Sequence, residues 1–258
     1  MPAVFRLVQT AVLGRWRATG EDLYREVARL TEAGPGREVL VAGCGSGAAT
    51  EWLALRTGAA VTGVDPDAQR IARAETHARK LGAPLDLHYE QAPLDDLPHE
   101  DAVFHISIGE PALSAAEDPV RAVTELARVT APMGCVVLLQ PTWTSEIPDE
   151  DREAVMERLG LRPRLLVEWK QILRDAGVVE LQVQDWTASA PASAAADAPQ
   201  FTLRDKALIV GRALREQGWR GARGAVERET TLIRELSRER AIGFQLVKGV
   251  KWPRATAA

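Results

Sequence analysis

The stretch VLVAGCGSGAAT, residues 39–50, places an apolar run directly before three glycines at alternate positions. A buried strand that ends in glycines and opens a helix lets a ligand approach the backbone and meet the N–H groups of the first helical turn. Such a loop is typical of nucleotide and anion sites. Gly43, Gly45 and Ala48 also satisfy the dinucleotide pattern G-x-G-x-x-[GA], so the loop alone leaves a nicotinamide cofactor open.

Apolar runs and amphipathic helical patterns alternate around and after this loop. The pattern predicts strands at 38–42, 60–64, 85–89, 103–108 and 135–140, with helices near 48–56, 67–81 and 119–129. Asp118 and Pro119 mark the start of the last helix, since aspartate caps helices and proline suits their first position. Strands that alternate with helices form right-handed βαβ units. We therefore expect an α/β fold, a doubly wound, mostly parallel, seven-stranded sheet with helices on both faces.

The flanking segments predict additions to this sheet. Helical spacing appears at 4–16, 21–33, 165–176, 203–216 and 222–240, and strands are predicted at 179–183 and 242–251. The segment TASAPASAAADAPQ, residues 187–200, predicts a mobile linker because it is rich in Ala, Ser and Pro. The predicted domains are N-terminal helices at 1–36, a sheet domain at 37–186 and 241–252, and a linker with a helical cap at 187–240. We expect the N-terminal helices and the linker to act as lids.

The composition excludes several classes of partner. The 32 basic and 36 acidic residues give a net charge of -4 and are spread along the chain, so we expect no nucleic-acid partner. Cys44 and Cys135 lack the spacing of a zinc site, and no apolar run approaches the roughly twenty residues of a membrane span. Without a signal-peptide pattern, a cytoplasmic enzyme with a small-molecule substrate is expected. The apolar N-terminal helix could pack on a second copy, so a homodimer is an open hypothesis.

Asp65 is the candidate for the ribose-binding carboxylate that follows such a glycine loop. It ends the predicted second strand, 22 residues after Gly43, close to the spacing of about twenty expected for a carboxylate that accepts ribose hydroxyls. The alternative is a cap for the helix that starts near Asp67. We favour the ribose role because the glycine loop precedes it. Cys44 has no basic neighbour in sequence and is interpreted as a small packing residue rather than a nucleophile.

These motifs, taken in order, resemble the class I S-adenosylmethionine-dependent methyltransferases of the small-molecule branch. VLVAGCGSG resembles their first motif, VTGVDPD the end of their second strand, and QAPLDDLP, residues 91–98, their adenine-binding segment. Residues 104–139 follow their fourth strand, helix and fifth strand without a gap. The resemblance covers residues 37–186 and the last strand. The motifs are specific as an ordered set rather than one by one.

The resemblance implies a cofactor, S-adenosyl-L-methionine, with S-adenosyl-L-homocysteine as product. The cofactor-binding residues that it implies are Gly43, Cys44, Gly45, Gly47, Asp65, Pro66, Gln91, Ala92 and Ile108. Gln91 stands where the family often has an aspartate that contacts the adenine amine, and His105 stands where aspartate usually follows phenylalanine. The Gln91 amide can form a hydrogen bond in place of the carboxylate.

The candidate substrate residues follow the predicted strands. Ligands of doubly wound sheets bind beyond the carboxyl ends of the strands, so Glu110 is the first candidate for a base, with a solvated loop acid as the alternative. His105 is a second candidate base, although it lies inside a predicted strand, where a structural histidine is common. Trp143 could form a wall of the substrate pocket or pack on a neighbouring helix. We expect no metal ligands.

The resemblance implies transfer of a methyl group to a small organic acceptor by in-line displacement. We expect an oxygen nucleophile ahead of nitrogen, carbon or sulfur. Two alternatives stay open from the sequence. One is an NAD(P)-dependent oxidoreductase, which the glycine loop allows. The other is a non-catalytic cofactor-binding protein. It is allowed by Ala42, which stands where the family usually has an acidic residue near the methionine end of the cofactor, and by the departures at Gln91 and His105.

Overall fold

A computed structural model describes residues 20–81, 85–144, 152, 153, 156, 161–186 and 242–253. The helices predicted at 4–16, 203–216 and 222–240 and the linker predicted at 187–200 lie outside the described residues. The lid and cap hypotheses that depend on these segments therefore stay predictions.

The described residues form eight strands and five α-helices. The strands are β1 (Glu38–Ala42), β2 (Ala60–Asp65), β3 (Leu87–Gln91), β4 (Phe104–Gly109), β5 (Thr130–Trp143), β6 (Arg164–Leu165), β7 (Val178–Asp185) and β8 (Ile242–Lys251). The helices are α1 (Gly20–Thr31), α2 (Ala48–Thr57), α3 (Ala68–Lys80), α4 (Pro119–Val129) and α5 (Leu166–Asp175), with a 3-10 helix at Pro111–Ala115. Within this part of the chain, no helix is long and apolar enough to cross a membrane.

Local sequence signals start two of the helices. The Asp118 carboxylate accepts hydrogen bonds from the N–H groups of Val120 and Arg121, and Pro119 occupies the first turn of α4. The Asp67 carboxylate caps α3 in the same way, with the N–H groups of Gln69 and Arg70. An N-terminal cap satisfies donors that have no partner inside the helix. The helix cap that the sequence left open at Asp65 is therefore made by Asp67.

The strands form one sheet in the order β3-β2-β1-β4-β5-β8-β7, with β6 paired to β5 outside this path. Strands β1 to β5 pair in parallel, and β7 pairs antiparallel with β8. The predicted mostly parallel sheet is confirmed, with the two-residue β6 as an unpredicted eighth strand. The chain runs outward from β1 to β3 and then returns to place β4 on the other side of β1. This reversal is the topological switch point, where sheets of this type bind ligands.

The beginning of β5 differs from the prediction. It starts at Thr130, directly after α4, rather than at residue 135. The pairing with β4 shifts between Phe104–Thr130 and Ile106–Cys135, so the intervening residues form a bulge. Met133 within it has a φ of +64° and is exposed. The sequence conceals this early start because bulge residues interrupt the apolar pattern of a strand.

One apolar core lies between the sheet and helices α4 and α5. It includes Leu40 from β1, Leu126 from α4, Leu138 from β5 and Trp169 from α5, all without exposed surface. Parallel strands in the centre of a sheet are covered on both faces, which explains their continuous apolar runs. The core holds the carboxyl ends of β1, β4 and β5 in register.

The chain divides into two compact units. The described residues of the larger unit are 21–81, 85–142, 161–185 and 244–253, and they contain the core and most of the sheet. In the other unit few residues are described. Among them, the Arg152 guanidinium lies 5.8 Å from the centre of the Trp143 ring, which is within the range of a cation–π contact.

Candidate active site

The glycine loop turns across the end of β2. The N–H groups of Gly43 and Cys44 both donate to the carbonyl of Val64, at 2.7 and 3.0 Å. Gly47 then precedes α2 with a φ of +93°, and a Cβ at this position would lie 2.5 Å from the Tyr89 hydroxyl. Both the left-handed backbone and the close approach require glycine. The loop therefore places the start of α2 at the carboxyl edge of the sheet.

Asp65 fixes the middle of this loop. Its side chain has no exposed surface. One carboxylate oxygen accepts from Gly45 N–H at 2.9 Å, and the other accepts from Asp67 N–H at 3.0 Å. An Arg70 nitrogen lies 3.7 Å from the first oxygen. Each carboxylate oxygen has a second lone pair beside the bonds that hold the loop, and the predicted role of Asp65 toward ribose hydroxyls stays a prediction.

The end of β3 lies next to Asp65. Gln91 pairs with Asp65 in the register of β2 and β3, and its side-chain amide donates to the Pro66 carbonyl at 3.3 Å. Gln91 is exposed, whereas Ala92 is buried in the core. The structure thus brings Asp65, Pro66, Gln91 and Ala92 together at one edge, as the motif order predicts.

Two hydroxyl groups tie β3 to the start of α2, which the sequence did not predict. The hydroxyl oxygens of Tyr89 and Thr50 are 2.7 Å apart, and Thr50 donates to the Gly47 carbonyl at 2.7 Å. Burial raises the pKa of the Tyr89 phenol, so this group remains neutral and hydrogen-bonded. A tyrosine in a short strand carries no sequence signal for this contact.

Glu110 lies on the other side of the switch point. It follows β4, and its N–H donates to the Ala42 carbonyl at the end of β1 at 2.9 Å. Its carboxylate accepts from the Tyr24 hydroxyl of α1 at 2.7 Å. A Cβ built on Gly43 would lie 3.4 Å from the Glu110 Cβ. The loops after β1 and β4 therefore pack against each other, and the candidate base lies beside the glycine loop.

Gln140 on β5 supports Glu110 from the neighbouring strand. Its side-chain amide donates to the carbonyls of Gly109 and Glu110, at 3.0 and 2.8 Å. These carbonyls belong to the point where the chain leaves the sheet, and Gln140 supplies the donors that they need. Neither Tyr24 nor Gln140 was predicted from the sequence. The available signal for Gln140 was a polar residue inside the apolar run CVVLLQ.

The structure assigns Cys44 a packing environment. Its side chain is 7% exposed, and the sulfur lies 3.7 Å from the Gly45 carbonyl oxygen. Burial raises the pKa of the Cys44 thiol, and the carboxylates of Asp65 and Glu110 raise it further. Since a thiolate is the reactive form, this thiol is not an activated nucleophile.

Three predicted site residues lie apart from this cluster. His105 lies near the amino end of β4, where its Nδ1 accepts from Glu38 N–H at 3.0 Å. This is the opposite end of the strand from Glu110, so the structure does not bring the two candidate bases together. Ile108 is buried between its partners Val41 and Val137. Trp143 ends β5 and is buried, and its role toward a substrate stays a prediction.

A second polar network holds the segment that follows β3. Arg128 of α4 donates to the carbonyls of Leu97 and His99 and to the Glu125 carboxylate, at 2.7 to 3.0 Å. The hydrogen bond from Arg128 lowers the pKa of Glu125. Burial lowers the pKa of His99. Among the described residues, no group of three His, Cys, Asp or Glu side chains could hold a metal ion.

The comparison with protein families agrees with this arrangement. Residues 40–138 match the family described as a methyltransferase domain. They run from β1 to β5 and contain the glycine loop, Asp65 and Glu110. Residues 40–138 therefore resemble a methyltransferase domain.

Individual relatives are similar to this chain over part of their length. A sarcosine/dimethylglycine N-methyltransferase of Halorhodospira halochloris is 24% identical over 161 residues, which are 62% of this chain and 58% of the relative. The chain therefore spans little more than half the length of this curated relative.

Solved structures share the fold of this chain. The [4+2]-cyclase SpnF superposes with a TM-score of 0.72 at 22% identity, over 92% of this chain and 82% of that one. Geranyl diphosphate C-methyltransferase from Streptomyces coelicolor A3(2), solved with Mg²⁺, geranyl diphosphate and S-adenosyl-L-homocysteine, has a TM-score of 0.67 at 17% identity. That superposition covers 94% of this chain and 82% of the other.

Proposed function

We propose that this chain transfers a methyl group from S-adenosyl-L-methionine to a small organic acceptor. The observation that carries the proposal is the Asp65 carboxylate, which ends β2 and binds the N–H of Gly45 in the glycine loop. The family match at residues 40–138 supports the same function. We name the acceptor only as a small organic molecule, because the similar proteins named above act on different compounds.

The described residues fit the cofactor. Asp65 would accept the ribose hydroxyls through its second lone pairs, and the Gln91 amide would meet the adenine. A Cβ on Gly45 would have no atom within 4 Å, so this side of the loop is open for the approach of a ligand to the backbone. The N–H groups at the start of α2 favour polar or anionic parts of the ligand. When bound, the cofactor supplies an electrophilic methyl group.

The chain's own contribution is positioning and proton transfer. Glu110 is held by Tyr24 at its carboxylate and by Gln140 at its carbonyl, so its side chain presents one fixed geometry. In that geometry Glu110 would accept the proton of an acceptor hydroxyl, which is how a carboxylate acts as a general base. Alignment of the reactants in a pocket closed to water would account for most of the rate.

Two measurements test the proposal. The first is calorimetric titration of the full chain with S-adenosylmethionine, S-adenosylhomocysteine, NAD and NADP in parallel. Micromolar binding of the first two alone is expected. Binding of NAD or NADP alone would overturn the proposal and favour an oxidoreductase.

The second measurement is transfer of a labelled methyl group to acceptors in a broad metabolite extract. The similarity to a [4+2]-cyclase is a reason to measure transfer separately from binding, because one fold can carry different reactions. Labelled product is expected from the wild-type chain and not from Glu110→Gln, with Glu117→Gln, an exposed acid in the following loop, as the matched control. Binding without any labelled product would indicate a non-catalytic cofactor-binding protein.

A further inference from the structure

Two buried polar atoms at the end of β5 have no hydrogen-bond partner among the described residues. They are the side-chain oxygen Oε1 of Gln140 and the hydroxyl oxygen of Thr142. Both side chains are 1% exposed. Buried polar groups are nearly always paired, and an unpaired one costs free energy. A pair of such atoms on one strand therefore points to a ligand that completes them.

The contacts of Gln140 fix the direction of its free atom. Both N–H donors of its amide point to carbonyls, those of Gly109 and Glu110. The amide cannot be flipped, because an oxygen in that position would face two other oxygens. Oε1 is therefore an acceptor that points away from these carbonyls and needs a donor.

Thr142 lies two residues after Gln140 in the same strand. Residues at this spacing share one face of a strand, so both unpaired oxygens lie on the side of β5 from which Gln140 reaches Glu110. The two residues follow the last paired positions of β4 and β5, Gly109 and Leu138. This is the carboxyl end of the strands, next to the switch point, where a ligand of this fold binds.

The chemistry of the two atoms selects the ligand group. An amide oxygen only accepts, whereas a threonine hydroxyl can donate and accept. A hydroxyl group has both capacities, since it can donate to an amide oxygen such as that of Gln140 and accept from a hydroxyl such as that of Thr142. A buried ammonium group only donates, so it would leave the hydrogen of the Thr142 hydroxyl without an acceptor.

We infer that Gln140 and Thr142 bind a neutral hydroxyl group of the acceptor and select hydroxyl-bearing acceptors. This inference rests on the proposed function, because it names the class of acceptor for the same site. Gln140 connects the hydroxyl-binding position to the proposed base, because the amide that would accept from the hydroxyl also donates to the Glu110 carbonyl. An alcohol or phenol bound there lies beside the proposed base.

The test uses the full chain saturated with S-adenosylhomocysteine and pairs of compounds that differ by one hydroxyl. The pairs are phenol with benzene, 2-aminophenol with aniline, and 3-hydroxybutyrate with butyrate, measured by calorimetry. We expect the hydroxyl-bearing member of at least one pair to bind at least tenfold more tightly. Thr142→Val should reduce that ratio to less than twofold, and Thr142→Ser, which keeps the hydroxyl, should preserve it.

Controls separate recognition from folding. Thr142→Val removes an unpaired buried hydroxyl at constant shape, so its Tm should be unchanged or higher. Thr124→Val, at an exposed helix position, should leave all the binding ratios unchanged. An unchanged ratio in Thr142→Val would mean that these atoms hold only a buried water, and it would overturn the inference.

Three further outcomes are distinguishable. If 2-phenylethylammonium binds more tightly than every hydroxyl-bearing compound, the inferred acceptor class is wrong. If S-adenosylhomocysteine binds but no pair shows a preference, the inference fails and the proposed function stands. If S-adenosylhomocysteine does not bind, the proposed function fails. A hydroxyl preference measured without it would still support hydroxyl binding by Gln140 and Thr142.

Discussion

Replacement of Asp65 tests the cofactor site and the loop together. Asp65→Ala would leave the N–H groups of Gly45 and Asp67 without their acceptor. A buried donor without a partner costs about 1–3 kcal/mol, so the free energy of unfolding should fall by about 2–6 kcal/mol. This is a large part of the 5–15 kcal/mol typical of a domain. Asp65→Asn is the better variant, because its single oxygen keeps one of the two bonds and the expected loss is about 1–3 kcal/mol.

The same variant separates stability from binding. Loss of the ribose acceptor should weaken S-adenosylhomocysteine binding by about 1–3 kcal/mol, which is roughly five- to 150-fold in Kd. Denaturant unfolding measures the first effect and calorimetry the second. Asp67→Asn is the matched control, since asparagine caps a helix as well as aspartate does. It should change neither quantity by much.

Two results would refute separate parts of this prediction, the loop-holding role of Asp65 and its ribose-binding role. An unchanged free energy of unfolding in Asp65→Asn would mean that the backbone bonds to Asp65 do not hold the loop. A lower stability with unchanged affinity would mean that Asp65 supports the loop but does not bind the ribose.

Three other perturbations test the surrounding framework. Gly47→Ala should destabilise the fold by about 1–3 kcal/mol, and Tyr89→Phe in the same chain should recover part of this loss, as unfolding of the single and double variants would show. Arg128→Lys should lower the free energy of unfolding by about 1–3 kcal/mol, because lysine cannot replace the forked hydrogen bonds. The lowered pKa values of His99 and Glu125 mean that the unfolded chain binds more protons, so stability should fall as the pH drops below about 6.5 and again below about 4.5. Denaturant unfolding from pH 8 to about pH 2.5 measures both declines, and His99→Gln should remove the first one.

The sequence predicted elements whose signals are local. β1 and β8 were predicted with the bounds that the structure shows, and α4 begins where the Asp118 cap and Pro119 place it. The glycine loop and Asp65 were found because their spacing is set by one strand, one turn and one helix. Their proximity follows from the pairing of β1 with β2 alone.

The sequence could not reveal contacts that depend on packing between distant segments. Tyr24 lies on a helix far from Glu110 in sequence, and only the packing of α1 brings them within 2.7 Å. His105 was a candidate base because of its chemistry, yet pairing with the first residue of β1 places it at the other end of the strand. The bulge at the start of β5 was hidden for a similar reason, since β4 determines its register.

The position of β8 has a consequence for the order in which the sheet can be assembled. β8 lies between β5 and β7, although it is the last of these strands to leave the ribosome. Strands β1 to β5 can pair as they emerge, because each neighbour has already been made. β7 must wait beside an open gap until β8 inserts, and during that time both β5 and β7 present unpaired backbone edges, which favour misassociation with other chains. The half of the sheet that carries the glycine loop can therefore form early, while closure of the other half depends on the final segment of the sheet.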